Sequence, residues 1–472
     1  PEQPHQEEWA IIYIEQQPVG TIHTRIQKIA ESGRALVQTS SETVMKLQRM
    51  GQLTEVRQFQ ESIETPDGQL VRFRSEMKNG PSSLVVHGRL AGNQLVSVVE
   101  SSAGATSQSI AWTPSYRGFF GPDQSLRARP LQPGESRVLQ VLFPGLTSVQ
   151  VVNTTLQAFD FEETDVAAGK KRLLKVISSL ELGGQSVGST LWVDDAGRQW
   201  KAEIPGVGLV LRVERQPELA AGAALAVDLS KSSFVPLKGP IERAHQTRRV
   251  AYQIQLQTND PAKAFQHDTR QQVAVVDDHT ARVIVDASGA QHALADAETE
   301  PRSADRGANA LIQCEDPRIV EMATGVVPDE QEPWQVAKAL ELHVKQSMRR
   351  ADFSTAFASA AEVAKTLRGD CSEHAVLLTA LCRARGIPAR VATGLVYILL
   401  ENRPGFGFHM WTEVWVGDRW IPLDATLGRG GIGAGHLKLT HSNLSNGEEV
   451  SAILSVLPVL RQIEIEVLEV AY

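Results

Sequence analysis

Apolar and polar residues alternate through the early part of the chain. Across Thr21–Ile26, Ile22, Thr24 and Ile26 fall on one side of an extended chain, with His23, Arg25 and Gln27 on the other. That period of two predicts a half-buried strand. Glu8–Ile14 and Thr21–Ile26 flank a Pro18-Val-Gly20 turn. Asp67-Gly68 separates Glu61–Glu64 from Leu70–Arg74, and Gly92-Asn93 separates Leu84–Leu90 from Leu95–Val99. Dipeptides of this kind between alternating stretches predict hairpins. The region reads as an antiparallel meander with one polar and one buried face. Gln17–Thr21 and Pro66–Arg74 have loose echoes in Gln185–Thr190 and Asp195–Lys201, so a duplicated meander is one explanation. In either case residues 8 to about 215 predict one large curved antiparallel sheet or open barrel.

Pro217 to about Gly239 lacks periodicity and serves as a boundary. Alternation then returns in Arg248–Leu256, where Tyr252, Ile254 and Leu256 share a face, followed by Gln272–Val276 and Ala281–Val285. These predict a small β module over 240–298. Glu298–Gly307 is polar, contains breakers and reads as a linker. The expected domains are 1–216, 240–298 and 305–472.

Beyond the linker the period becomes helical. A helix opening near Pro333 places Val336 or Ala337, Leu340, Val344 and Met348 on one face, and a second is expected over Ser354–Leu367. A third begins at Cys371. Asp370 or Ser372 can cap it, and Ala375, Leu378 and Leu381 or Cys382 form its buried stripe. Gly386 and Pro388 stop it. Phe406–Val416 reads as a strand carrying His409. Arg419–Thr426 reads as a strand ending at Asp424, with Gly417-Asp418 as the turn between them. The chain closes on a strand at Gln462–Leu468. At the positive end of a helix dipole Cys371 is favoured as thiolate, the nucleophilic form. A cysteine to attack, a histidine to take its proton and an aspartate to orient the histidine are the roles a thiol acyl-transfer site needs.

Four stretches in order carry a family resemblance. They are Gly369-Asp-Cys-Ser-Glu-His374, Arg383–Arg390, Phe408–Val414 and Trp420–Thr426. Together they resemble the transglutaminase-like superfamily core, over roughly the last third of the chain from about Asn309. The resemblance implies an α+β fold of papain-like layout, a cysteine-bearing helix packed on an antiparallel sheet, preceded here by the large β-rich region. It also implies Cys371 as nucleophile, His409 as general base and Asp424 as its orienter. Animal transglutaminases have a tryptophan directly after the cysteine, where this chain has Ser372. The pattern is closer to bacterial members that resemble thiol proteases or amidases, so hydrolysis of a peptide or amide bond is expected ahead of protein-glutamine transamidation. A catalytically silent core serving as a binding scaffold is a further alternative.

Composition bounds the remaining classes. With 472 residues, 42% hydrophobic and 22% charged, the chain has the make-up of a multidomain globular protein. A formal net charge of −8 and no dense Lys/Arg stripe argue against a nucleic-acid partner. No apolar run approaches the ~20 residues of a transmembrane helix. Cys371 and Cys382 lie on one predicted helix, roughly 16 Å apart at ~1.5 Å per residue, and cannot bridge. Zinc bound by Cys371, His374 and Cys382 or His409 is the rival chemistry. Only Cys371 and His374 have short ligand spacing, so neither a metal nor a cofactor is expected. His374 reads as structural or supporting, and Trp411, Trp415 and Trp420 as core or cleft walls. The expected partner is a peptide or protein substrate, with a cell-envelope partner for the β-rich region. The chain opens on Pro1, so loss of a secretory signal and an extracytoplasmic site, periplasm or cell envelope, are expected, with the cytoplasm as the other placement.

Overall fold

The computed structural model describes residues 6–472 apart from 15, 50–51, 80–81, 102–103, 146–147, 183–184, 205–208, 215–226, 229–232, 258, 289–298, 328–331, 351–357, 446–455, 457–458 and 460–461. Strand dominates, at 57% against 16% helix. The chain divides into two compact units, Pro1–Asp228 and Leu229–Tyr472. That division falls within the expected 217–239 boundary, much of which lies outside the described residues. No helix among the described residues is long and apolar enough to cross a membrane.

In the first unit one sheet holds sixteen strands. From Gln6–Ile14 to Gly104–Ala111 each strand pairs antiparallel with the next, and a second run from Ser136–Pro144 to Leu209–Glu214 does the same. The runs join where Gln6–Ile14 pairs with Leu209–Glu214. Asp67-Gly68 and Gly92-Asn93 form hairpins, with Gly68 and Gly92 at positive φ. Leu70, Phe73, Val86, Leu95 and Val99 of the first run share a core with Leu142 and Val149 of the second. The sheet is therefore curved. Gln108 ties its ends together, its side chain donating to the Val149 carbonyl at 2.8 Å and accepting the Val149 N–H at 3.0 Å. The two sequence echoes occupy different places in the sheet. Gln17–Thr21 and Pro66–Arg74 are separated by intervening strands, whereas Gln185–Thr190 runs directly into the Asp195 hairpin.

In the second unit the expected module of residues 240–298 does not stand by itself. Arg249–Leu256 pairs with Thr280–Asp286 on one side and with the C-terminal strand Ile463–Ala471 on the other. Pairing across so long a sequence separation is what local pattern could not supply. The expected linker is also anchored: Arg383 donates to the Gly307 carbonyl at 2.7 Å and Trp420 to the Thr299 carbonyl at 3.1 Å. The helix expected over Ser354–Leu367 is described as Ala360–Thr366, capped by Ser359; residues 354–357 lie outside the described set.

Four helices, Pro317–Val326, Pro333–Ser347, Ala360–Thr366 and Cys371–Ala384, surround one apolar cluster. Cys371–Ala384, the cysteine helix, runs through its middle. Ala375 to Leu378 and Ala380 to Cys382 are buried in succession, because neighbours cover the helix on every side. Burying each leucine contributes about 1.5–3 kcal/mol. Met410, Val414 and Leu423 meet the helix from the sheet, and the Thr412 hydroxyl donates to the Ala375 carbonyl at 3.0 Å. A second cluster, with Tyr252, Ile254, Phe406, Leu395 and Leu437, joins the sheet of Ala389–Leu400, Arg403–Val416 and His436–Ser442 to the four-stranded sheet of Gln271–Asp277, Thr280–Asp286, Arg249–Leu256 and Ile463–Ala471.

Candidate active site

The local sequence at Cys371 builds a capping box. The Asp370 carboxylate accepts from Ser372 N at 2.9 Å and from Ser372 Oγ at 2.7 Å, while Glu373 reaches back to accept the Asp370 N–H at 2.9 Å. The helix thus starts at the cysteine, which is free and half-buried. Gly369 precedes it at φ +147°, where an added Cβ would lie 2.2 Å from Glu373 Cβ. Only glycine lets the Glu373 stem pack flush against that turn. Glu373 is fully buried and also accepts the Ala358 N–H at 3.2 Å. Burial, with the adjacent Asp370 carboxylate adding to it, pushes its carboxyl well up. His374 lies 2.6 Å from the Asp370 carbonyl through Nδ1, which must be the donor because a carbonyl only accepts. Burial lowers its pKa, so the ring is neutral and acts here as part of the cap.

His409 sits on the strand Arg403–Val416, flanked by Ala389–Leu400 and Arg419–Leu423. Opposite it is Gly394, where a Cβ would stand 2.0 Å from the Leu437 carbonyl oxygen. His409 Nε2 donates to Asp424 Oδ2 at 2.8 Å. Cys371 lies close enough to His409 to act on its charge. With Nε2 engaged by Asp424, Nδ1 is the ring nitrogen left free for Cys371. Burial alone would lower the His409 pKa, but the Asp424 charge and hydrogen bond, together with Cys371, raise it to about 10.

Asp424 follows the strand Arg419–Leu423 and is almost wholly buried. Burial acts to raise its pKa, yet the charge on His409 and the hydrogen bonds from His409 and His436 hold it well below the usual carboxylate value. Its Oδ1 accepts from Thr426 N at 2.8 Å and from Thr426 Oγ1 at 2.6 Å. Its backbone N–H donates to Glu341 Oε1 at 3.0 Å, and Glu341 Oε2 accepts the Gly430 N–H at 2.6 Å. Glu341 therefore pins the turn that presents Asp424. Burial, with Asp424 nearby, moves its pKa up to about 7.

His436, which sequence reasoning did not single out, opens the strand His436–Ser442 and places Nε2 3.1 Å from Asp424 Oδ2. Its burial among apolar neighbours was hidden because polar and apolar residues alternate in His436–Ser442, a pattern that predicts an exposed polar face. Here His436, Leu437, Lys438 and Leu439 are all buried. Glu341 and Thr426 gave no local signal either.

Potential ligand atoms of His409, Asp424 and His436 lie within 4.8 Å of one another. That closeness is the geometry of two N–H donors sharing one carboxylate oxygen, and each ring would have to surrender its Nε2 proton before that nitrogen could bind an ion. In the rival zinc set, His374 has Nδ1 engaged with the Asp370 carbonyl, and Cys382 is fully buried in the apolar cluster, its thiol pushed well above its ordinary pKa by burial.

Beside this site a buried ionic ladder crosses three neighbouring strands. Glu413 pairs with Arg390 at 2.8 Å and with Lys438 at 2.7 Å, and Lys438 also meets Asp268 at 3.1 Å. Burial opposes the charge on Glu413, but Lys438 and Arg390 lower its pKa to about 2. Trp411 and Trp420 are both buried, and the Arg390 guanidinium lies 3.9 Å from the Trp420 ring centroid.

The helix-start cysteine, the histidine near it and the buried aspartate that this histidine bonds all fall within the segment that a family model recognises. Residues 320–425 match the transglutaminase-like superfamily. That superfamily includes cysteine proteases and transamidases, so the match supports a thiol-dependent enzyme in the broad sense. No curated protein matches the chain. Among solved structures, a proposed cysteine protease from Cytophaga hutchinsonii is 16% identical over 46% of this chain and 83% of its own, with a TM-score of 0.29. A DUF1089-family protein from Pseudomonas aeruginosa is 13% identical over 44% of this chain and 93% of its own, TM-score 0.24. The hypothetical lipoprotein YmcC from Escherichia coli is 10% identical over 44% and 84%, TM-score 0.21. In this chain the transglutaminase-like segment includes Cys371, His409 and Asp424, whereas His436 lies beyond it.

Proposed function

We propose that the second unit is a thiol hydrolase of peptide or amide bonds, with Cys371 as nucleophile, His409 as proton carrier and Asp424 as the residue that orients His409. One observation carries this reading: His409 hydrogen-bonds a buried, charged aspartate and lies close enough to the helix-start cysteine for the two to interact. The layout is then papain-like, with the cysteine helix against the sheet that bears the other two residues.

In the first half-reaction His409 Nδ1 takes the Cys371 proton and the thiolate adds to the substrate carbonyl carbon. The Cys371 N–H, at the start of the helix, is a donor for the oxyanion. As the tetrahedral intermediate collapses, the imidazolium gives its proton to the leaving amine and a thioester remains. His409 then takes a proton from water as its oxygen adds to the thioester carbonyl. Collapse releases the carboxylic acid and returns the proton to the thiol. Asp424 keeps the Nε2–H tautomer of His409 throughout, leaving Nδ1 facing the sulfur.

The pattern with Ser372 after the cysteine, closer to bacterial thiol proteases and amidases, favours hydrolysis as the reading. Ser372 takes the place of the animal enzymes' tryptophan, and here its hydroxyl is committed to the Asp370 cap. Transamidation is the second reading. The two separate when a peptide mixture is incubated with the protein in 18O-labelled water and excess primary amine. The expected product is an acid carrying 18O, found by mass spectrometry. An amine adduct as the main product would assign transamidation instead.

A further inference from the structure

We propose that His436 is a positioning residue for the acyl-transfer site, a second imidazole that donates to Asp424 and, by staying uncharged, leaves the site's positive charge on His409. The inference rests on the Cys371–His409–Asp424 reading and adds to it a residue outside the matched segment.

The Asp424 carboxylate has all its directions engaged. Thr426 supplies two donors to Oδ1, and His409 and His436 supply one each to Oδ2. A charged carboxylate only accepts, so both rings present Nε2–H to it. For His436 this leaves Nδ1 without a proton if the ring is neutral, and that atom is buried with no hydrogen-bond partner. A proton there would be a buried, unpaired donor, and a second imidazolium would compete with His409 for a single negative charge. Burial lowers the His436 pKa to about 4, against the hydrogen bond and charge of Asp424, which act to raise it, and with the charge on His409 adding to the fall.

The ring is held in place. Trp411 meets it edge-on at 5.3 Å, with His409 at 5.8 Å and His245 at 5.7 Å between ring centroids. The titratable and charged groups around the cluster are Cys371 and His374 from the cysteine helix, Glu341 and Lys345 from Pro333–Ser347, and His409, Asp424, Arg429 and His245. With Thr426 on one oxygen and His436 on the other, the carboxylate cannot swing about its Cβ–Cγ bond. The plane of His409, and the aim of its Nδ1 at Cys371, are fixed in turn.

The test compares two variants of similar size, His436→Met, which cannot donate, and His436→Gln, which can. The probe is the rate of iodoacetamide labelling of Cys371 at pH 6. Methionine should slow labelling by about tenfold, the worth of one charge-assisted hydrogen bond, and glutamine should recover most of the loss. In the wild-type protein, 15N-histidine NMR should show His436 as the neutral Nε2–H tautomer from pH 5 to pH 9, whether or not either variant folds. Equal labelling in the two folded variants and the wild type, or a His436 ring that titrates in that range or carries its proton on Nδ1, would overturn the role of His436. Wild-type labelling that is indifferent to His409→Ala would instead refute the underlying triad.

Discussion

Replacing Cys371 or His409 by alanine is expected to lower amide turnover by about a million-fold, and replacing Asp424 by asparagine by about ten-thousand-fold. The order follows from what each group touches. Without the thiol there is no acyl intermediate, and without the imidazole there is no thiolate and no proton for the leaving amine. Asp424→Asn is subtler. Thr426 N and Oγ1 both donate to Oδ1, so an asparagine would keep its carbonyl oxygen there and turn its NH2 toward His409 and His436. His409 would have to accept through Nε2 and carry its proton on Nδ1. That proton would then face Cys371, and the ring could no longer receive the thiol's own. Initial rates on a peptide substrate, with circular dichroism to show that each variant is folded, give the measurement. An asparagine variant within tenfold of wild type would remove Asp424 from the mechanism.

The second large effect is on stability. Glu413→Gln is expected to destabilise the second unit by about 3–5 kcal/mol, because it leaves Arg390 buried against a neutral amide and Lys438 with Asp268 as its one remaining carboxylate. Both cations have little exposure, 9% for the Arg390 side chain and 6% for Lys438, so solvent cannot take over from the lost carboxylate. The sign with pH follows from the depressed pKa of about 2 in the folded chain, against roughly 4.3 when unfolded. A carboxylate lowered in this way contributes stability that is fully present above its unfolded pKa and is lost as pH falls through its folded one. The gap between wild type and Glu413→Gln in urea denaturation should be widest at neutral pH and should narrow between pH 4 and pH 2. A gap below 1 kcal/mol at pH 7 would show that the ladder contributes little.

Much of the site was legible because its chemistry is local. Asp370 is a capping residue directly before Cys371, so the start of the helix at Cys371 could be read directly, and Gly386 and Pro388 marked its end. Glu373, which completes the cap, carried no such signal: it is a fully buried acid packed against Gly369. His409 and Asp424 lie on strands joined by the Gly417-Asp418 turn, a hairpin that pattern reveals, and they meet at 2.8 Å. Thr426 holds Asp424 from two residues along the same turn, whereas His436 and Glu341 hold it from two further segments that only the folded chain brings together.

The same division runs through the fold. Asp67-Gly68 and Gly92-Asn93 announced their hairpins through glycine's tolerance of positive φ. The pairing of Gln6–Ile14 with Leu209–Glu214, and of Arg249–Leu256 with Ile463–Ala471, was not legible. Strand pairing over such separations depends on which edges the rest of the chain leaves open. Residues 240–298 therefore read as a module of their own when their sheet is completed by the end of the chain.

The most direct test of the central claim is the pH dependence of iodoacetamide labelling at Cys371, followed by peptide mass spectrometry in wild type and His409→Ala. A thiolate–imidazolium pair predicts rapid labelling well below the ~8.5 pKa of a free thiol, with that acidic reactivity lost in the variant. If instead both proteins label slowly until the pH approaches that of an ordinary thiol, Cys371 and His409 do not form a reactive pair, and the account of this site as an acyl-transfer centre is wrong.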